Sequence, residues 1–221
     1  MHKPHPYKVH PRKHFSIMGL FSSPPPKTKS ELLYNVDLIS VTAPSLDAPL
    51  TGASIKSQQL WAERPALIVL IRRPGCLLCR AEAHTLATHR QLIENEYGVR
   101  MYAVVNQEFG AMEFAINYWK GEAYFDKELG MFKAIGDGEV RRGSLMQMLL
   151  PSVLSRMSKA KKSGLDFNTK GDGTILGGLV LMAPGDGGVV YEYAEREFGD
   201  HAPLEVVLEK CKELGEAYPR A

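Results

Sequence analysis

Cysteine is scarce in this chain, with three residues among 221. Three thiols cannot build the even-numbered framework that staples small secreted domains. Acidic residues are missing altogether from positions 1–30, which carry Lys3, Lys8, Arg12, Lys13, Lys27 and Lys29. Long apolar runs are missing too. No stretch approaches the ~18–20 apolar residues that span a bilayer, and "FSIMGLF" (15–21) is too short for a secretory core. Tryptophan occurs only as Trp61 and Trp119, so no set of stacking aromatics awaits a nucleic acid strand. A formal net charge of +2 gives no electrostatic case for nucleic acid either.

The basic excess belongs to the start of the chain. Outside those six residues, 21 basic side chains face 25 acidic ones, a net −4. Residues 1–30 also hold His2, His5, His10 and His14 and six of the 14 prolines, without sustained apolar periodicity. That composition reads as a disordered basic tail, with an organelle-targeting segment as the alternative. The first reading puts the protein in the cytoplasm. Residues 31–221 are long enough for one well-packed domain.

Hydrophobic patterning orders that domain. Residues 31–42 read as a short strand and 54–63 as a short helix before Pro65. Ala66 to Ile71 is a continuous apolar run of strand length, as in a strand covered on both faces. From Cys76 to Glu96 the period becomes helical, with Cys79, Ala83, Leu86 and Ile93 on one face. Arg80, Glu82, Arg90 and Glu94 are expected to face water, and Gly98 ends the helix. A second strand (99–105), a helix (108–119), a short extended "AYFD", a helical stretch split by Pro151 (144–161), two strands (175–182 and 189–194) and a final helix (203–217) follow. The strands at 66–71 and 99–105, joined through a helix, should be parallel. The last two, joined by "PGDGG", should be antiparallel. This is an α/β domain, a mixed central sheet flanked by helices in the thioredoxin-like order.

Two of the three cysteines fall in "ALIVLIRRPGCLLCRAEAHTL" (66–86), at the carboxyl end of the buried strand. Open α/β sheets place their chemistry at that edge. Pro74 and Gly75 turn the chain and set Cys76 at a helix start, where free N–H groups and the helix dipole favour a thiolate. Arg72, Arg73 and Arg80 add positive charge nearby. Cys79, one turn on and more buried, is placed to close a disulfide with Cys76. Half of a zinc site is the competing reading, with Cys211, His84 and His89 as the remaining ligand types, but no second CxxC exists. Cys211, Trp61 and Trp119 read as packing residues. The glycine-rich "GDGEVRRG" and "GDGTILGG" lack the strand-to-helix setting of a phosphate loop and read as turns.

The stretches "QQLWAERPALIVLIRRPGCLLCRAEA", "MYAVVNQE", "GEAYFDKELGMFKAIG", "GDGTILGGLVLM" and "EREFGD" resemble the peroxiredoxin-like proteins of the alkyl hydroperoxide reductase/thiol-specific antioxidant (AhpC/TSA) superfamily, a group that includes prostamide/prostaglandin F synthase. The resemblance covers about residues 55–213. It implies a thioredoxin fold with Cys76 and Cys79 as a redox-active pair. The activity it implies is thiol-dependent reduction of peroxides, antioxidant or regulatory, or NADPH-dependent reduction of a prostaglandin endoperoxide. A protein disulfide as substrate and a non-enzymatic thiol sensor are the other readings. No bound cofactor is expected, with reducing equivalents arriving from thioredoxin or NADPH. By the resemblance Cys79 occupies the place of a peroxidatic cysteine, whereas helix-start electrostatics favour Cys76 as the attacking thiol. The two arguments leave the order of attack open.

Overall fold

The computed structural model describes residues 28–46 and 48–220. Of the tail read over 1–30, residues 1–27 lie outside the described residues. Seven strands form one mixed sheet: β1 (Asp37–Ser40), β2 (Ser54–Lys56), β3 (Ala66–Ile71), β4 (Arg100–Val105), β5 (Ala123–Phe125), β6 (Gly178–Met182) and β7 (Val189–Ala194), in the order β2-β1-β5-β4-β3-β6-β7. β3 pairs parallel with β4 and antiparallel with β6, and β6 pairs antiparallel with β7, as the connection lengths require.

β3 sits near the middle and is buried along its whole length. Its side chains alternate between two cores. Leu67, Val69 and Ile71 join one with Met101, Ala103, Val105, Leu179 and Leu181. Ala66, Ile68 and Leu70 join the other with Tyr102, Val104, Val180, Met182, Trp61 and Phe132. This two-sided burial is why the strand reads as an unbroken apolar run. The first core is covered by α2 (Leu77–Thr88), α3 (Ala111–Phe114), α5 (Pro151–Lys161) and α6 (Leu204–Ala217). The second carries α1 (Ser30–Leu33) and α4 (Gly130–Ala134).

Three expectations are corrected. Residues 31–42 begin as a helical turn, and the strand starts only at Asp37, after Asn35 turns the chain at a φ of 62°. Residues 54–63 are not one helix. Ser54–Lys56 pair with β1 as β2, and only Ser57–Trp61 make a 3₁₀ turn, so tertiary pairing outweighs local propensity. The strand expected at 175 begins at Gly178. A Cβ on Gly177 would lie 2.2 Å from the Leu70 carbonyl, so the backbones meet there as only glycine allows. Pro151 splits 144–161 as expected, opening α5 at its first turn, and the Ser144 side chain caps the preceding 3₁₀ turn.

Candidate active site

The thiol pair lies where β3 gives way to α2. Cys76 is the N-cap of α2, its N–H bonded to the Arg73 carbonyl and its own carbonyl accepting from Arg80. Both sulfurs are free, and both residues are buried, Cys76 at 5 % and Cys79 at 1 % exposure. Arg72, itself buried, donates from Nη2 to the Cys76 Sγ at 2.7 Å and from Nη1 to the Gly173 carbonyl at 2.8 Å. Its guanidinium stacks 4.6 Å above the Phe198 ring. Asn106 holds the Arg72 carbonyl at 2.7 Å.

This setting splits the two thiols. The Cys76 thiol is pushed well below the ordinary cysteine range, chiefly by a hydrogen bond from the Cys79 thiol. Burial opposes the shift. Arg72 and the Leu78 and Cys79 backbone N–H groups reinforce it. Cys79 moves the other way, raised by the same hydrogen bond and by burial. The site at rest therefore favours a thiolate on Cys76 and a thiol on Cys79.

The arginines do different work. Arg73 reaches over the thiol turn to donate to the Thr169 carbonyl at 2.8 Å. Arg80 does not face water as its helical position predicts. It is 1 % exposed and donates to the carbonyls of Pro74 (2.9 Å) and Asp166 (2.9 Å), the Tyr118 hydroxyl (2.6 Å) and Glu113 Oε2 (2.7 Å). Its polar ring of partners lies under the loop after α5, where a helical wheel shows only solvent. Arg72, Arg73 and Arg80 thus all pin the backbone of one strap, residues 166–173, to the thiol turn. Asn168 adds a backbone bond to the Gly75 carbonyl at 2.8 Å, and any Cβ on Gly75 would collide with the Asn168 side chain. Arg142 closes the far end of the strap on Asp172 at 2.7 Å.

Sequence reasoning missed a neighbouring group. Glu82 from α2, Glu195 after β7 and His201 before α6 converge beside the thiol helix. His201 Nε2 lies 3.3 Å from a carboxylate oxygen of each glutamate. Burial pushes the Glu82 carboxyl up to about 7, against the pull of His201. Burial alone would lower His201, but the two carboxylates outweigh it and hold the imidazole at about 9. The helical period places Glu82 toward solvent, and the structure instead turns it to His201. The segments "EREFGD" and "GDGT" contain Glu195, Phe198 and Gly173, yet nothing in their residue types indicates a fold back onto Cys76. The ligand types proposed for a thiol zinc site do not gather: among the described residues, the grouping able to hold a metal is Glu82, Glu195 and His201. Cys211 is fully buried in α6 and its thiol is pushed up to about 12 by burial, as befits a packing residue. Trp61 and Trp119 are core residues.

A dithiol at the start of the helix that follows a central strand, in a mixed sheet with flanking helices, defines a thioredoxin-like protein of the peroxiredoxin kind. A family model described as "AhpC/TSA antioxidant enzyme" matches residues 85–197, a stretch that begins after the thiol pair. Rat (Rattus norvegicus) "Peroxiredoxin-like 2A" is 36% identical over 196 residues, 88% of this chain and 80% of that protein. Bovine (Bos taurus) "Prostamide/prostaglandin F synthase" is 32% identical over 176 residues, 79% and 87% of the two chains. Among solved structures, Xanthomonas campestris Peroxiredoxin Q superposes with a TM-score of 0.54 at 10% identity, covering 88% of this chain and 97% of that one. The chain belongs to the AhpC/TSA antioxidant enzyme family, in its peroxiredoxin-like branch, and has its thioredoxin-like fold.

Proposed function

We propose that the protein is a thiol-dependent oxidoreductase that reduces peroxides through Cys76 and Cys79, with no bound cofactor. The observation that carries this reading is the Arg72 hydrogen bond to the Cys76 sulfur at 2.7 Å, beside a free Cys79. A thiolate held there at neutral pH is the nucleophile. It attacks one peroxide oxygen. The O–O bond breaks, the alcohol or water leaves with a proton, and Cys76 becomes a sulfenic acid. Cys79 then loses its proton and attacks that sulfur. The S–S bond forms as the S–O bond breaks and water departs. An external dithiol of the thioredoxin type returns two electrons to the disulfide, ultimately from NADPH.

The 5 % exposure of Cys76 suits a small peroxide better than a protein disulfide. A prostaglandin endoperoxide is the second substrate to consider. One relative is named for that synthesis, and a cavity of about 410 Å³ lined by Leu78, Ala81, Leu86, Leu165 and Leu204 flanks the thiol helix. The test is a substrate panel of hydrogen peroxide, an alkyl hydroperoxide and an endoperoxide, run with a dithiol reductant and thiol mapping by mass spectrometry. Turnover should vanish in Cys76→Ser, while Cys79→Ser should stop at a sulfenic acid on Cys76. A disulfide formed once per molecule, without turnover on any substrate, rejects the enzyme and leaves a sensor.

A further inference from the structure

The convergence of Glu82, Glu195 and His201 is not used by the thiol chemistry. Each comes from a different element, and each offers one ligand atom. His201 Nε2 is 3.3 Å from Glu82 Oε2 and 3.3 Å from Glu195 Oε1, and all three atoms lie within 4.8 Å of one another. His201 Nε2 is itself buried, and its partners are the two carboxylate oxygens, which it faces at ion-pair distance. Glu195 is 3 % exposed, and its second oxygen is fixed by the Gly177 N–H at 2.8 Å. A buried carboxylate oriented by a backbone donor is the outer-shell arrangement that metal ligands use.

The separations fit one class of ion. Ligand atoms about 2.0–2.1 Å from a tetrahedral centre lie about 3.3–3.4 Å from one another. Both His201 separations have that length, and the Glu82 side chain, on a flexible stem at the cavity wall, can close the third. One imidazole and two carboxylates suit a borderline divalent cation, and tetrahedral spacing favours zinc among them. Glu82 and His201 also line the cavity of about 410 Å³ beside α2, which gives an ion a way in and leaves a fourth position open. We propose that Glu82, Glu195 and His201 form a divalent-cation site of the zinc type, separate from the thiols and open on one side to this cavity. The assignment is independent of whether Cys76 reduces peroxides.

The experiment is Zn²⁺ titration by calorimetry on the full-length chain. Other ligands are first removed: Cys76→Ser, Cys79→Ser and Cys211→Ser take away the thiols, and Asn replaces His2, His5, His10 and His14. One equivalent should bind in this background. Glu195→Gln and His201→Asn should each weaken binding about tenfold or more, whereas His84→Asn and His89→Asn should leave it unchanged. Substituting Co²⁺ should give the intense visible absorption of a four-coordinate ion. Should circular dichroism show that Glu195→Gln does not fold, the helix variant Glu82→Gln decides. Absence of binding up to about 0.1 mM Zn²⁺, or binding that survives the Glu82 and His201 substitutions, overturns the site.

Discussion

Arg72 is the cation hydrogen-bonded to the Cys76 sulfur, and it reinforces the larger effect of the Cys79 thiol. Hydrogen bonds to charged groups are worth about 1.5–3 kcal/mol, and one pKa unit corresponds to about 1.4 kcal/mol. Arg72→Met should therefore raise the Cys76 thiol toward the ordinary cysteine range. The measurement is the pH dependence of Cys76 alkylation, whose midpoint should move up in the variant; an unmoved midpoint removes Arg72 from the mechanism. Cys211 provides the internal contrast. Buried in α6 and pushed up to about 12, it should stay unmodified in folded protein while Cys76 reacts, and peptide mapping after a short alkylation pulse reads both. At this scale the sequence was informative about which residues matter and uninformative about where they point. Cys76 at a helix start follows from "RRPGC" alone. That Arg72 faces the sulfur while Arg80 faces a loop depends on residues 166–173, some ninety positions away, and no local rule reaches that far.

The element with the most to say is the pinned strap. Arg80 gathers four partners from the thiol turn, α3, the segment after it and the strap, and Glu113, its ion-pair partner, is half-buried. Arg80→Leu should destabilise the fold by about 2–4 kcal/mol, because it removes the donor shared by the Pro74 and Asp166 carbonyls, the Tyr118 hydroxyl and the Glu113 carboxylate. Urea unfolding measures it, and a loss under about 0.5 kcal/mol would make the buried arginine incidental. Strand β3 and the apolar stripe of α2 were legible, since two-sided burial and a 3.6-residue period leave plain traces. β2 was not, because three residues that pair with β1 look the same as the start of a helix until their partner is known. The polar side of α2 misled for the same reason: a charged residue on that side reads as solvated until a loop is laid over it.

For the molecule as a whole, the depressed Cys76 thiol links redox state, pH and stability. A group whose pKa falls on folding stabilises the fold fully above its unfolded value, near 9 for this thiol, and the contribution disappears as pH drops through the folded value. Reduced protein should therefore gain stability over its Cys76→Ser variant as pH rises toward about 9. The gap should shrink in acid. Chemical denaturation of both proteins under reductant, across that range, gives the comparison, and a flat difference would mean that Cys76 carries no stabilised anion. Disulfide formation removes the anion, so the Cys76 contribution to the pH dependence should be lost on oxidation.

Arg72, Arg73 and Arg80 all hold the strap by main-chain oxygens, those of Gly173, Thr169 and Asp166. A carbonyl is common to every amino acid, so this clasp does not read the identity of what it holds. The side chains of Asp166 and Thr169 can drift through evolution, or be exchanged by design, without loosening the grip. Substrate preference at the rim is thereby free to diverge while the reactive sulfur beneath keeps its surroundings.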